Sequence, residues 1–243
     1  MVSQTKFAAR YDALFTEPRI RALYGDSGYF NVGYWTDRVR DLVAACDRMV
    51  DEVASAVPHD ARVILDVGCG LGAGTRRLAN RFRDSVVAGV NISPWQLTQV
   101  RGRGARSVVA SDATQLALSS GSADAVLAIE SAEHFDTRED FFREAHRVLR
   151  PGGILSLSDM LFREGDAIGE WMMLPSRRVH TIAEYEAAMR EAGFTDVTVR
   201  DITARSWTPY CAEMLRVYEG HEDVLRRIEG SLAHYVLAFA RRG

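Results

Sequence analysis

The chain has 243 residues, of which 47% are hydrophobic and 26% charged, with a formal net charge of −3. This length and composition are typical of one large globular domain, or of a domain with an attached cap. Because basic and acidic residues are interspersed and form no basic block, the sequence favours a small-molecule partner and argues against a nucleic-acid partner.

No apolar run approaches the ~20 residues that span a bilayer, so no membrane partner is expected. The N-terminus lacks the apolar core of a secretion signal, which predicts a cytoplasmic protein. The cysteines Cys46, Cys69 and Cys211 have no close spacing and predict neither a disulfide framework nor a zinc site. Cys69 could act as a nucleophile, but a small residue filling a tight turn is the simpler interpretation.

Residues 1–60 do not follow an alternation of strands and helices. They contain two helical stretches on either side of an aromatic-rich segment, YGDSGYFNVGYW, at residues 24–35. We expect residues 1–60 to form an N-terminal helical cap segment beside a main domain that spans residues 61–243.

Strand and helix patterns alternate from residue 61 onward. The predicted strands are ARVILDV (61–67), SVVAGVNI (85–92), ARSVVASDA (105–113), ADAVLAIES (123–131), ILSLSDM (154–160), FTDVTVRDI (194–202) and SLAHYVLAFAR (231–241). Helices are predicted to begin near Thr75, Ser93, Arg138 and Thr181. Insertions near 160–180 and 203–230 interrupt the alternation, and we expect them to add to the cap.

Continuous apolar strands between helices imply a sheet that is covered on both faces. We therefore predict an α/β fold, with a Rossmann-like, doubly wound, mostly parallel seven-stranded sheet and a helical cap from the N-terminus and the late insertions. In such sheets, ligands bind outside the carboxyl ends of the strands.

A glycine-rich loop follows the first strand, in the segment VILDVGCGLGAG at residues 63–74. Four glycines in seven positions exceed what a tight turn needs, and they favour a loop that approaches a ligand closely. The dinucleotide fingerprint fits loosely at Gly68, Gly70 and Ala73, so a nicotinamide-dependent oxidoreductase is an alternative. Asn91 counts against it, because dinucleotide sites usually place an acidic residue there. Asp66, two residues before the first glycine, could instead receive a cationic group or order the loop.

The segment VILDVGCGLGAGT resembles the glycine motif of class I S-adenosylmethionine-dependent methyltransferases. Later segments agree with that family in order and spacing, namely GVNIS, SDAT, DAVLAIESAEHF and RVLRPGGILSLSD. The resemblance covers the chain from about residue 61 to the C-terminus. The GYW of the N-terminal segment is similar to a subset that methylates small molecules, including sterol, sugar and natural-product tailoring enzymes.

This resemblance implies a site for S-adenosylmethionine, with S-adenosylhomocysteine as the product. Asp66 would orient the methionyl amine, Asn91 would face the ribose and Asp112 would accept a hydrogen bond from the adenine amino group. Tyr34 would close over the methionyl end. The implied cofactor-binding residues are Tyr34, Asp66, Gly68, Cys69, Gly70, Asn91, Ile92, Gln96, Asp112, Ala113, Glu130 and Ser131.

Asn91 departs from the family pattern, since most members carry Asp or Glu at this position. An amide oxygen is the weaker acceptor, because hydrogen bonds to charged groups are worth ~1.5–3 kcal/mol against ~1 kcal/mol for neutral ones. We expect cofactor binding to survive and Asn91→Asp to bind equally or more tightly. Alternatively, Asn91 only caps the following helix.

Methyl transfer requires an acceptor aligned at roughly 3 Å that is relieved of its proton. His134, beside the cofactor end of the fourth strand, is the candidate base, and Glu133 could tune or orient it. His180 is a second candidate. His134 could also merely pack against the cap, since several related enzymes act by proximity alone. No constellation predicts a metal site, although Asp159 together with Glu133 could hold magnesium.

Aromatic and methionine side chains fall at strand ends and in cap segments, and together they predict an enclosed, apolar, ring-bearing substrate. These residues are Tyr29, Phe30, Tyr34, Trp35, Trp171, Trp207 and Tyr210, with Met160, Met172 and Met173. We predict methyl transfer to such a metabolite in natural-product tailoring, with oxygen as the first acceptor and nitrogen or carbon as alternatives. A methyltransferase-fold protein repurposed for ligand binding or cyclisation is the alternative from another class. The sequence does not indicate the oligomeric state.

Overall fold

A computed structural model describes residues 4–102, 107–163 and 179–243 of the chain. One sheet of seven strands runs through them in the order β3-β2-β1-β4-β5-β7-β6. The strands are β1 (Val63–Val67), β2 (Val86–Asn91), β3 (Ser107–Ala110), β4 (Ala123–Ile129), β5 (Leu149–Phe162), β6 (Phe194–Asp201) and β7 (Leu232–Arg242). Strands β1 to β5 pair in parallel, whereas β7 pairs antiparallel with both β5 and β6. The predicted fold class is confirmed.

Helices precede the sheet and alternate with its strands. They are α1 (Gln4–Leu14), α2 (Pro18–Tyr24), α3 (Leu42–Val53), α4 (Ala73–Arg81), α5 (Pro94–Gly102), α6 (Arg138–Val148), α7 (Ile182–Glu191), α8 (Trp207–Val217) and α9 (Glu222–Ser231). Within the described ranges, none of the helices has the length and apolar character needed to cross a membrane. Helix α7 begins after Thr181, as predicted, and Thr181 and Glu184 form a capping box in which each side chain bonds the other residue's backbone N–H.

Strand β5 starts earlier than the sequence pattern predicts. Leu149 already pairs with Ala123, and a register shift follows before Ile154 pairs with Ala125. Pro151, Gly152 and Gly153, which precede the strand predicted over 154–160, therefore lie inside β5, in the irregular part of this pairing.

Both faces of the sheet are covered by apolar residues, because neighbouring residues of a strand point to opposite faces. Ile64 of β1 belongs to the cluster that contains Met49 and Val53 of α3, whereas Leu65 belongs to the cluster that contains Phe141 of α6. Full burial of each such side chain contributes about 1.5–3 kcal/mol. Because β1 pairs in parallel with both β2 and β4, the carboxyl ends of these three strands lie at one edge of the sheet.

The N-terminal helices pack on the same side as the late insertion at 203–230. Helix α2 packs against α8, and the hydroxyl oxygens of Tyr24 and Tyr210 lie 3.4 Å apart between them. The backbone N–H of Trp35 donates to the carbonyl of Arg205 at 2.6 Å. The insertion expected near 160–180 lies largely outside the described residues.

Candidate active site

A cavity of about 380 Å³ lies at the carboxyl ends of β1, β2 and β4. Its walls are the loops that follow these strands, the segment at 28–31, and one face of α1. The structure brings together there the candidate base His134 and all but one of the implied cofactor-binding residues. Those lining the cavity are Asp66, Gly68, Cys69, Gly70, Asn91, Ile92, Gln96, Asp112, Ala113, Glu130 and Ser131.

The loop after β1 requires glycine for conformational and steric reasons. Gly68 has a φ of +76°, and a Cβ at this position would collide with the side chain of Ser131. Gly72 has a φ of +84° and immediately precedes α4. Only glycine adopts this left-handed region without a steric cost, so the loop can pass close under a bound ligand.

Asp66 ends β1 beneath this loop and is almost fully buried, with 2% of its surface exposed. Its Oδ2 accepts a hydrogen bond from the Thr75 hydroxyl at 2.5 Å. Burial raises the pKa of Asp66 to about 6, although the Thr75 hydrogen bond opposes the shift. A cation in the cavity would relieve this desolvation, because an opposite charge favours the ionised form.

Glu130 follows β4 in a left-handed conformation with a φ of +47°, which is strained for a residue other than glycine. Its Oε1 accepts hydrogen bonds from the Val32 backbone N–H at 2.6 Å and from the Tyr235 hydroxyl at 2.5 Å. Burial raises the pKa of Glu130 to about 8, against the effect of these two donors. The sheet thus presents a second carboxyl group with a raised pKa to the same cavity.

Asn91 ends β2 with both ends of its amide bonded to the protein. Its Oδ1 accepts from the backbone N–H of Ser93 at 2.9 Å, and its Nδ2 donates to Oε1 of Gln96 at 2.9 Å. The residue therefore lines the cavity and also satisfies a backbone donor at the start of α5. The two interpretations of Asn91 are compatible.

Asp112 and Cys69 also line the cavity. Oδ1 of Asp112 accepts from the backbone N–H of Thr114 at 2.8 Å and from its hydroxyl at 2.9 Å. Burial raises the pKa of the Cys69 thiol above its ordinary value, with Asp66 adding to the shift. A thiol held in its protonated form is a poor nucleophile, which favours the packing interpretation of Cys69.

His134 also lines the cavity and ends the short 3-10 turn Ala132–His134 that follows β4. Its Nε2 shares a hydrogen bond of 2.6 Å with the hydroxyl of Tyr11, and the two rings meet edge to face at 5.0 Å. Burial lowers the pKa of His134 to about 3, and the Arg138 guanidinium adds to this effect against Asp159. The imidazole is therefore neutral throughout the physiological range. Burial also raises the pKa of Tyr11 above its ordinary value, so that its hydroxyl stays protonated.

Glu133 lies behind His134 rather than in the cavity lining. Its Oε1 is 3.7 Å from Nε2 of His134, and neither carboxyl oxygen has a hydrogen-bond partner among the described residues. Burial raises the pKa of Glu133 well above its ordinary value, and the nearby Asp159 carboxylate raises it further. Glu133 is accordingly a neutral neighbour of the imidazole.

Asp159 is committed to a buried ion pair. The Arg138 guanidinium donates to both of its oxygens, at 2.7 and 3.2 Å, and the Tyr185 hydroxyl donates at 2.8 Å. Although burial opposes it, Arg138 holds the pKa of Asp159 below its ordinary value. In the described ranges, no group of three or more His, Cys, Asp and Glu side chains could hold a metal ion.

Other residues singled out in the sequence lie elsewhere. Tyr34 is not among the described residues that line the cavity, and its backbone N–H bonds to Ala45. His180 also lies outside the described lining, with its Nδ1 bonded to the carbonyl of Phe162 at 2.8 Å. Tyr29 and Phe30 line the cavity. Trp35, Trp207, Tyr210 and Met160 belong to or pack against the apolar core. Trp171, Met172 and Met173 lie outside the described residues.

Sequence reasoning missed the contribution of α1. Ala8, Tyr11 and Phe15 of this helical region line the cavity, and their spacing of three and four residues places them on one helix face. Asp12 contacts the residues after β2 through hydrogen bonds. The spacing was visible in the sequence, but no residue in this stretch indicated which surface the face would cover.

A family model described as a methyltransferase domain matches residues 65–157. The chain is also similar to 27-O-demethylrifamycin SV methyltransferase of Amycolatopsis mediterranei. That relative is 34% identical over 222 residues, which cover 82% of this chain and 78% of the relative.

Solved structures share the fold. The geranyl diphosphate C-methyltransferase from Streptomyces coelicolor, in complex with Mg²⁺, geranyl diphosphate and S-adenosyl-L-homocysteine, aligns with a TM-score of 0.79 at 21% identity, over 100% of this chain and 98% of that chain. The [4+2]-cyclase SpnF aligns with a TM-score of 0.76 at 24% identity, over 97% of this chain and 94% of that chain. At these identities the likeness concerns the fold alone.

Proposed function

Because this chain belongs to the S-adenosylmethionine-dependent methyltransferases, we propose that it methylates a hydroxyl oxygen of a small, largely apolar natural product. The observation that carries the proposal is the neutral His134, hydrogen-bonded to Tyr11 at the wall of an aromatic-lined cavity. When bound, S-adenosylmethionine supplies a methyl group that is activated by the positive charge on sulfur.

The carboxyl ends of the strands fit this cofactor on two grounds. The loop with Gly68 and Gly70 lines the cavity in left-handed backbone conformations, with no side chain at either position to stand between a ligand and the main chain. Asp66 and Glu130 are carboxyl groups with raised pKa values at the cavity, and their ionised forms are stabilised by a cationic ligand. Asn91 and Asp112 are the residues that we propose for the ribose and adenine ends.

The remaining task is to take the proton from the acceptor hydroxyl, and we assign it to His134 together with Tyr11. Nε2 of His134 is engaged by the Tyr11 hydroxyl, so a proton from the cavity reaches the imidazole through that hydroxyl. In this scheme the acceptor hydroxyl gives its proton to the Tyr11 oxygen as Tyr11 passes its own proton to Nε2. The low pKa makes His134 a weak base but does not prevent this step. As the acceptor oxygen becomes methylated, its remaining proton becomes far more acidic than an imidazolium, so a weak base can take it.

The cavity walls support an apolar acceptor that carries a ring. Phe15 and Phe30 stack edge to face at 5.0 Å, and Tyr11 meets Phe30 at 6.0 Å. The helices before β1, together with α8 and α9, are the cap of this proposal and would exclude water from the reacting atoms. The relative named 27-O-demethylrifamycin SV methyltransferase takes its name from a methyl group on oxygen, which supports the same acceptor atom here.

The test is an acceptor screen with S-adenosylmethionine that carries an isotopically labelled methyl group. Hydroxylated polyketides, beginning with 27-O-demethylrifamycin SV, are compared with amines and with phosphorylated prenyl compounds. The proposal expects S-adenosylhomocysteine and a labelled methyl ether, which carbon NMR distinguishes from a methylamine or a methyl–carbon bond. Product labelled on nitrogen or carbon would contradict the acceptor atom, and conversion of a substrate without S-adenosylhomocysteine would support a cyclase instead.

A further inference from the structure

A chain of hydrogen bonds connects α1 with the end of β2. Asp12 accepts from the Ser93 hydroxyl at 2.9 Å and from Nε2 of Gln96 at 2.7 Å. Oε1 of Gln96 accepts from Nδ2 of Asn91, and Oδ1 of Asn91 accepts from the Ser93 backbone N–H. Gln96 and Asn91 both line the cavity, whereas Asp12 stands behind them on the helix.

The two ends of this chain determine the orientation of both amides. An ionised carboxylate only accepts hydrogen bonds, and a backbone N–H only donates them. Gln96 must therefore turn its nitrogen to Asp12 and its oxygen to Asn91, and Asn91 must turn its oxygen to Ser93. Each amide is buried, with 5% of Gln96 and 8% of Asn91 exposed, so a wrongly turned amide would leave unpaired polar groups.

We propose that Asp12 is a cofactor-positioning residue that acts through Gln96 on Asn91, at the ribose end of the site. The carboxylate fixes the two cavity-lining amides in one orientation and polarises them as acceptors, since charged ends strengthen hydrogen-bond chains. The ribose hydroxyls are donors that such acceptors can receive. The inference rests on the proposed function, which assigns this end of the cavity to the cofactor.

This arrangement reverses the expectation for Asn91→Asp. An aspartate at 91 would face Oε1 of Gln96, and the single amide nitrogen of Gln96 would then have to serve carboxylates on both sides. Turning the Gln96 amide to donate to residue 91 would leave its oxygen against Asp12. We expect Asn91→Asp alone to weaken binding rather than tighten it.

Exchanging the two residues satisfies the chain again. With asparagine at 12 and aspartate at 91, the Gln96 amide turns over, donates to residue 91 and accepts from residue 12. Calorimetric titration with S-adenosylhomocysteine should show affinity about tenfold lower for Asp12→Asn and for Asn91→Asp, and within about threefold of wild type for the double variant. Asp12→Asn therefore weakens binding in the wild-type chain and improves it in the Asn91→Asp chain.

Controls separate this effect from a loss of structure. Asp37→Asn, at an exposed acid of the N-terminal region, should leave affinity unchanged. Gln96→Met removes the link, so Asp12→Asn should have no further effect on affinity in that background. Melting temperatures of the ligand-free variants show which of them fold, and the Gln96→Met pair carries the test if Asn91→Asp does not.

The outcomes distinguish the two proposals. Losses for Asp12→Asn that are equal in the wild-type, Asn91→Asp and Gln96→Met chains would overturn the positioning role, as would unchanged affinity in Asp12→Asn alone. A wild-type protein that binds no S-adenosylhomocysteine would instead remove the proposed function together with this inference.

Discussion

The two walls of the cavity are built by different means. On the sheet wall, Asp66, Asn91 and Glu130 each lie at or directly after the end of a strand, and the pairing of buried strands fixes their positions. The helix wall is formed by α1, which contacts the site through side chains. Its main contacts are the hydrogen bonds of Tyr11 with His134 and of Asp12 with Gln96. Position comes from backbone geometry on one wall and from individual side-chain contacts on the other.

This difference assigns different work to the walls. The sheet wall carries carboxyl groups whose pKa values burial has raised, and a cationic ligand relieves that cost. The helix wall contributes aromatic rings and a phenol hydroxyl that stays protonated. In the proposed function, cofactor binding would depend mainly on the sheet wall, whereas handling of the acceptor's proton would need both walls together.

The largest effect is expected where the walls meet. His134→Ala should lower kcat by about 10²–10⁴-fold on the acceptor found in the screen, because it removes the group that takes the proton. Affinity for S-adenosylhomocysteine should change little. Steady-state kinetics and calorimetry measure the two quantities, and His180→Ala, outside the described cavity lining, is the matched control.

The pH profile sharpens this prediction. A base accepts a proton only in its deprotonated form, and His134 reaches that form above a pKa of about 3. The wild-type rate should therefore show no ionisation of His134 between about pH 6 and pH 9, unlike a histidine with the ordinary value of ~6.5. If the kcat of His134→Ala stays within about threefold of the wild-type value, transfer proceeds by proximity alone and His134 is a packing residue.

Tyr11→Phe should have the next largest effect, a decrease in kcat of roughly tenfold or more, because the ring contacts remain and only the hydroxyl is lost. Its edge-to-face contacts with His134 and Phe30 need no hydroxyl. Tyr34→Phe, which changes a tyrosine outside the described cavity lining, is the control. A rise in KM with an unchanged kcat would place Tyr11 in substrate binding only.

Sequence reasoning predicted the sheet wall well, for a physical reason. The alternation of strands and helices predicts a parallel sheet, and parallel strands bring their carboxyl ends to one edge. The glycine loop and Asp66 could therefore be placed at the ligand edge from their positions in the sequence alone. The resemblance to a family added Asn91 and Glu130 to this edge, and both follow or end a strand there.

The helix wall could not be placed in the same way. The spacing of Ala8, Tyr11 and Phe15 indicates a helix face but contains no information about its partner, since that contact is formed by tertiary packing. In the N-terminal segment, Tyr29, Phe30 and Asn31 line the cavity, whereas the contact of Tyr34 with the cofactor stays a prediction. The low pKa of His134 also depends on burial by α1, which the sequence does not state.

A smaller effect is expected from the charge of the sheet wall. S-adenosylmethionine carries a sulfonium charge that S-adenosylhomocysteine lacks, and Asp66 and Glu130 ionise with pKa values of about 6 and about 8 in the ligand-free protein. As pH rises, these groups become carboxylates and attract the sulfonium. The preference for S-adenosylmethionine over S-adenosylhomocysteine should increase roughly fivefold from about pH 6 to about pH 9. A constant preference would show that neither carboxylate faces the sulfonium.

The smallest effect concerns stability. The folded-state pKa of Glu130 is about 8, above its ordinary value, so its contribution to stability is complete at low pH and is lost as pH rises towards 8. Glu130→Gln keeps an oxygen for the Val32 and Tyr235 donors but cannot ionise. At about pH 9 the ligand-free variant should melt a few degrees above wild type, and at about pH 5 the two should coincide. Calorimetry that shows a constant difference at both pH values would contradict this account, and Glu191→Gln on an exposed side chain is the control.

The most direct test of the two-wall account is a double-mutant cycle in kcat between Tyr11 and His134. If the Tyr11 hydroxyl serves only to deliver the proton to the imidazole, then Tyr11→Phe lowers kcat no further once the His134 side chain has been removed. The account predicts that Tyr11→Phe/His134→Ala is no slower than His134→Ala alone. Losses that multiply in the double variant would show that the two residues act independently and would contradict the account.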